Sequence, residues 1–271
     1  MELSPQKIKT FETCRQKYYF EYLDPEIAKI KKQLKKKRPE MEMGSFVHDA
    51  LTLFFKEPFV NRSWQKMAEI LKNVWQGPRG KGYGFKTIEE ERTYYQLALR
   101  MLFDFVKTEN LNPNIFALPI SPPGRSYDDY VKVPFVNGIE IGGKIDRVDI
   151  NQNQELEIID YKTGNLSDNF IQLMSYVFLA EGSYKKPVVK TANIYLKSKQ
   201  RQELLPDENA RQKAKNKILA AAGDIDKEII WPPNVSKLCL WCDYVDFCPK
   251  KQEILEKFGK ENFDLNNGRL L

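Results

Sequence analysis

The stretch LEIIDYKTGNLSDNFIQLMSY, from Leu156 to Tyr176, restricts the possible folds more than any other part of the chain. Its first half is a short apolar run with the length and composition of a buried strand. Side chains two apart on a strand point the same way, so Leu156, Ile158, Asp160 and Lys162 project together. The first two belong in a core. A carboxylate and an ammonium continuing that face are costly to bury without compensation. They are tolerable at a sheet edge, as a surface ion pair, or where a bound cation neutralises the carboxylate. A helix is predicted from Asp168 to Ala180, and on it Gln172 and Tyr176, four apart, share a face.

The flanking sequence predicts a mixed sheet between helices. YVKVPFV, Asn137-Gly138 and IEIGGKIDRVDI read as a β-hairpin, with Asn-Gly as the turn. On the second of these strands Asp146 lies on the face of Val148 and Ile150, a second carboxylate in an apolar row. Two carboxylates on adjacent strands can converge on a hard cation such as Mg²⁺. A lysine beside them can orient a water or stabilise charge on a phosphate. VVKTANIYL is a further strand, followed by a helix from Asp207 to Ala222. Upstream the pattern is helical: Ser4-Pro5 opens a helix to about Tyr22, and further helices are expected over Trp64–Trp75 and Thr87–Lys107. In MEMGSFVHDALTLFF, Gly44, Val47, His48, Leu51 and Phe55 share one helical face. GPRGKGYG lacks a lysine at phosphate-loop spacing and reads as a plain connection. The expected organisation is one domain over 1–271, with a mainly helical part (1–126), a catalytic sheet core (127–200) and a C-terminal helix with a cysteine segment (201–271).

The 271 residues carry a net charge of +6, which tilts towards an anionic partner such as nucleic acid. No apolar run is long enough to span a bilayer, and the first residues lack a signal peptide's apolar core. A cytoplasmic, reduced protein without membrane contact is therefore predicted, in which the four cysteines are more readily metal ligands than disulfides. Cys14 stands far from Cys239, Cys242 and Cys248, which follow C-x-x-C-x₅-C. Zinc ribbons use two local pairs, which this is not; zinc and free buried thiols both stay open. The basic run Lys29 to Arg38 is either a phosphate-tracking patch or a solvated face. Tyr18, Tyr19, Trp241 and Tyr244 either stack on unpaired bases or belong to the core. His48, the single histidine, is either a core residue or a ligand.

In chain order, Gly44…His48, Asp146, Asp160-Tyr161-Lys162 and Gln172…Tyr176 resemble the motifs of the PD-(D/E)XK nuclease superfamily, in particular its RecB-like branch: G-x-x-x-H, a strand Asp, (D/E)-x-K and Q-x-x-x-Y. The resemblance spans most of the chain. It implies an α/β fold, a restriction-endonuclease-like mixed sheet flanked by helices, with an inserted helical region and a C-terminal iron–sulfur segment. It implies Mg²⁺ or Mn²⁺ held by His48, Asp146, Asp160 and the main-chain carbonyl of Tyr161. Lys162 would act on the attacking water or the phosphate, and Gln172 and Tyr176 would line the active-site wall. The cysteines resemble the iron staple of RecB-like nucleases, including the AddB nuclease domain and the CRISPR-adaptation iron–sulfur exonucleases. That implies a [4Fe–4S] cluster on Cys14, Cys239, Cys242 and Cys248, with Zn²⁺ as the alternative. The implied function is a DNA exonuclease acting on single strands or free ends in repair or recombination, with a helicase as partner. The alternatives are prespacer trimming beside CRISPR integrase proteins, and an inactive module that binds DNA ends.

Overall fold

The computed structural model describes residues 1–77, 80–119, 130–259, 263–264 and 269–270. Its elements in chain order are β1 (Glu2–Leu3), α1 (Pro5–Thr13), α2 (Arg15–Tyr22), α3 (Pro25–Leu34), α4 (Pro39–Lys56), α5 (Trp64–Trp75), α6 (Ile88–Thr108) and β2 (Ile115–Ala117). β3 (Val131–Pro134), β4 (Glu140–Gly143), β5 (Arg147–Ile150), β6 (Leu156–Lys162), α7 (Phe170–Tyr184), β7 (Val188–Tyr195), β8 (Gln200–Leu204) and α8 (Glu208–Lys227) follow. They gather into two units, one of Met1–Ser4 with Lys37–Ile218, the other of Pro5–Lys36 with Leu219–Leu271.

The larger unit is built on a five-stranded sheet ordered β2-β5-β6-β7-β8. β6 takes the centre, antiparallel to β5 and parallel to β7. Its side chains explain that place: Ile158 and Ile159, on opposite faces, are both buried, and a strand apolar on both sides needs a layer over each. Ile159 and Tyr161 join Ala192 and Ile194 against an apolar core from α4, α5 and α6 that includes Val47, Leu51, Leu71 and Leu102. α7 buries Leu173, Met174 and Val177. The Ser63 and Thr87 hydroxyls cap α5 and α6, accepting from Lys66 N at 3.2 Å and Glu90 N at 3.1 Å. A second sheet is ordered β1-β4-β3. Its β3–β4 hairpin turns at Asn137 (φ 52°) and Gly138 (φ 73°), the paired positive φ that a tight hairpin turn demands.

In the larger unit four expectations change. IEIGGKIDRVDI is not one strand: β4 and β5 lie in different sheets, and 144–146 form the bend between them. Asp146 therefore precedes β5 instead of continuing the row of Val148 and Ile150. The strands β1, β2 and β8 went unanticipated, the first two because two or three residues show no alternation. β8 (QRQEL) is almost wholly exposed, so it shows no apolar face. The helix expected at Asp168–Ala180 starts at Phe170 and runs to Tyr184, where Lys185 stops it with a φ of 55°. In the glycine-rich connection, Gly80–Tyr83 is a 3₁₀ turn. Gly80 N donates to buried Glu91 at 2.8 Å; Pro78 and Arg79 lie outside the described residues.

In the smaller unit, the helix expected from Ser4 to Tyr22 is broken at Cys14. That residue is extended (φ −162°, ψ 113°), and its Sγ accepts from Lys17 N at 3.5 Å as the cap of α2. Asp24 and Pro25 start α3 in the usual way, the carboxylate accepting from Glu26 N and Ile27 N. Among the described residues no helix is long and apolar enough to cross a membrane.

Candidate functional site

At the end of β6 the charged side chains are gathered as the strand alternation requires. Asp160 is 3% exposed, and Lys162 Nζ stands 2.7 Å from its Oδ2. The same ammonium donates to Gln172 Oε1 at 2.6 Å, and Gln172 Nε2 donates to the Tyr176 hydroxyl at 3.0 Å. The i,i+4 pair on α7 thus orients the lysine from the helix side. Asp146 approaches from the bend before β5. Its Oδ2 accepts the Tyr161 N–H at 2.9 Å, and its Oδ1 lies 3.1 Å from His48 Nδ1. His48 comes from α4, whose approach depends on Gly44: a Cβ there would lie 3.1 Å from Thr163 Oγ1, just past Lys162. The structure therefore brings together His48, Asp146, Asp160, Lys162, Gln172 and Tyr176. Tyr161 contributes its N–H, and its ring is buried beneath, edge-on to Phe105 at 5.6 Å.

Sequence reasoning passed over Arg147. It is 4% exposed, donates to the Tyr161 hydroxyl at 2.7 Å, pairs with Asp149 at 3.0 Å, and lies over the Phe55 ring at 4.5 Å. It holds the strand start next to Asp146 and the ring next to Asp160, so it positions both carboxylates. The signal was the D-R-V-D order from Asp146 to Asp149 at the start of β5, where a basic residue stands between two acidic ones.

The two carboxylates have opposite electrostatics. Burial, then the Asp146 charge, push Asp160 up to about 6, against the pull of Lys162 and His48. Burial also works to raise Asp146, but His48, the Tyr161 N–H and Lys162 outweigh it and hold Asp146 below its ordinary range. For His48, burial acts downward and Asp146 overrides it, so the imidazole is raised. Because the folded chain holds the Asp160 proton more tightly than the unfolded chain does, stability falls as pH rises from its ordinary 3.8 to about 6. Asp160→Asn keeps the shape and removes the charge. Metal-free Asp160→Asn is expected to melt higher than the wild type at about pH 8, with the gap closing near about pH 4. Thermal melts in chelator measure this, and a wild type that melts as high as the variant at both pH values rules it out.

Among the described residues no group of three or more His, Cys, Asp or Glu side chains is arranged to hold a metal ion. The carboxylates are instead engaged by His48 and Lys162. The donor set still suits a hard divalent cation: a buried and a partly buried carboxylate that repel each other, with one imidazole alongside. A cation would relieve the strain that raises Asp160.

The four cysteines all fall in the smaller unit, form no disulfide, and line one small cavity with Phe20, Tyr244 and Val245. Cys14 Sγ accepts from Lys17 N at 3.5 Å and Asn234 N at 3.4 Å, and Cys239 Sγ accepts from Ser236 N at 3.4 Å. Burial first, then the nearness of Cys14 and Cys239, push the Cys242 and Cys248 thiols up. Ligation would need the four sulfurs as thiolates, whose charge a cationic iron–sulfur core would offset in this apolar cavity, and backbone N–H donors to sulfur suit such a group. The residues fit such a group.

Much of the basic run is already engaged. Lys29 pairs with Glu26 at 2.7 Å, and Glu21 accepts from Lys31 at 2.8 Å and Lys35 at 2.7 Å. Of the aromatic residues considered for base stacking, Tyr18 and Tyr244 are buried, and Tyr18 stacks on Trp231 at 5.8 Å. Trp241 remains half-exposed.

A family model described as the PD-(D/E)XK nuclease superfamily matches residues 2–249. A component of an ATP-dependent helicase/deoxyribonuclease from Carboxydothermus hydrogenoformans is 29% identical over 205 residues, or 66% of this chain. The matched region is 18% of that relative's length, so the chain corresponds to a small part of it. A solved structure from Eubacterium rectale, provisionally named an exonuclease, superposes with a TM-score of 0.53 at 12% identity. That superposition covers 96% of this chain and 93% of the other, and it supports the fold.

Proposed function

The chain belongs to the PD-(D/E)XK nuclease superfamily, and on that premise we propose that it is a divalent-cation-dependent deoxyribonuclease that works on unpaired or free-ended DNA. The observation that carries the proposal is the buried Asp160 with Lys162 Nζ at 2.7 Å, beside a second carboxylate, Asp146. Asp146, Asp160 and His48 would hold Mg²⁺ or Mn²⁺, with the Tyr161 carbonyl completing the set. Such a cation, when bound, supplies Lewis acidity to the phosphate and lowers the pKa of water. Lys162 keeps a positive charge where negative charge develops on the phosphoryl oxygens. Gln172 fixes the direction of that ammonium, and the Tyr176 hydroxyl fixes Gln172. Arg147 keeps the Tyr161 strand segment in place beneath them. In the smaller unit the four cysteines would bind a [4Fe–4S] cluster as a structural group. The relative's name joins a helicase to a deoxyribonuclease, which supports a motor protein as a partner.

The test is digestion of end-labelled single- and double-stranded DNA by anaerobically purified protein, with Mg²⁺, with Mn²⁺ and in chelator. Single strands are expected to shorten from an end in either metal and to stay intact in chelator. His48→Ala should lose Mn²⁺-supported cleavage to a greater degree than it loses thermal stability, since an imidazole ligand suits Mn²⁺. Unchanged cleavage per folded molecule would make His48 a core residue. Intact DNA under every condition would remove the nuclease proposal.

A further inference from the structure

Beside β6, the sheet carries a polar row that the chemistry above does not use. Cα register pairs Asp160 with Asn193 on β7, and Asn193 with Gln202 on β8. Paired residues on neighbouring strands project from the same face, and strands lie about 4.8 Å apart. The row thus leads from the candidate catalytic carboxylate to the sheet's far edge. Asn193 is 1% exposed, yet its Oδ1 is buried without a hydrogen-bond partner. Buried amides are normally satisfied, so an orphaned one needs a reason.

Asn193 faces a cleft of about 630 Å³, lined also by Leu166, Phe170, Leu173, Gln202 and Leu204. Its roof is fastened from the same strand. The Tyr195 hydroxyl donates to Ser167 O at 3.0 Å and accepts from Asn169 Nδ2 at 2.7 Å and Ser167 N at 3.3 Å. The cleft is therefore preformed with a mixed lining: Phe170, Leu173 and Leu204 stand beside the carboxylates of Asp168 and Glu203, and the unmet amide oxygen of Asn193 lies in its floor, one strand away from Asp160. A nucleobase has matching chemistry: flat apolar faces and an edge of donors and acceptors.

We propose that this cleft receives an unpaired base of the strand being cut, next to the scissile phosphate, with the Asn193 amide as its hydrogen-bonding partner. The inference rests on the nuclease reading and deepens it. A primary amide offers both a donor and an acceptor, which the edge of any unpaired base can meet. The subsite thus requires a base without selecting one. A base inside a duplex has its pairing edge occupied and its faces stacked, so entry requires a single strand or a frayed end.

The test is cleavage of labelled single-stranded oligonucleotides in which one abasic residue is stepped through the positions flanking the cut. In the wild type, one position is expected to raise KM about tenfold when abasic, with kcat largely kept, the effect of one lost hydrogen bond and its stacking. Asn193→Ala should show the hydrogen-bond part of that raised KM on the intact oligonucleotide, and the abasic residue should then add only the remainder, clearly less than the tenfold seen in the wild type. Leu204→Trp, which fills the cleft from the edge strand, should do the same and serves if Asn193→Ala does not fold. Equal KM at every abasic position, or full abasic sensitivity in both variants, overturns the subsite while leaving the nuclease. A wild type that cuts no oligonucleotide overturns the nuclease reading and the subsite with it.

Discussion

Asp160→Ala and Lys162→Ala are each expected to slow DNA cleavage by at least about 10²-fold while leaving the fold and DNA binding in place. The carboxylate lies between a second carboxylate and the ammonium, and neither Asp160 nor Lys162 packs the apolar side of the sheet that Ile159 and Tyr161 fill. Removing Asp160 takes away an anionic ligand and leaves Lys162 held by Gln172 alone of its two partners. Removing Lys162 leaves two close carboxylates with less positive charge beside them, so Asp160 becomes harder to ionise. Single-turnover cleavage with saturating enzyme, together with melting curves, separates the chemical step from folding. Near wild-type rates in either variant would mean that the phosphate is attacked elsewhere.

The second large effect is expected at Cys14. Anaerobically purified wild type should be brown, with about four iron and four acid-labile sulfide per chain. Cys14→Ala should lose that colour although three cysteines remain, and its melting temperature should fall. A cluster shared between Cys14 and Cys239 closes a loop of most of the chain, which restricts the unfolded state, and cluster binding adds its free energy to folding. Cys14 also caps α2 through Lys17 N. Loss of a cap alone costs about 1 kcal/mol. Cys14→Ser separates the two roles, because a hydroxyl still caps but is a poor ligand for iron. Both variants should be colourless, with Cys14→Ala melting slightly lower than Cys14→Ser. Colourless wild type with stoichiometric zinc would replace the cluster by zinc, and a full cluster in Cys14→Ala would exclude Cys14 as a ligand.

Side-chain periodicity set Asp160 beside Lys162 and Gln172 beside Tyr176, and the motif resemblance pointed to them, with His48 and Asp146, as one candidate site. The alternation in Leu156–Lys162 required Asp160 and Lys162 to share a face, and the i,i+4 spacing of Gln172 and Tyr176 required theirs; both hold in the structure. Helices α4, α5 and α6 were equally legible because their apolar stripes face one core. What sequence did not reveal depended on partners distant along the chain. The break at 144–146 arises because β4 and β5 hydrogen-bond in different sheets, and no local pattern records which sheet a strand will join. The bend at Cys14 comes from a thiol capping a helix, a task that sequence patterns assign to Ser, Thr, Asp or Asn. Arg147 and Asn193 read as ordinary polar residues in strands until register set them beside Tyr161 and Asp160. The lysines at 31 and 35 look free until Glu21 is found between them. Sequence determines which face of each element is apolar, because that follows from its own backbone period. Only the packed chain decides which polar groups meet, because their partners come from separate elements brought together by burial of those faces.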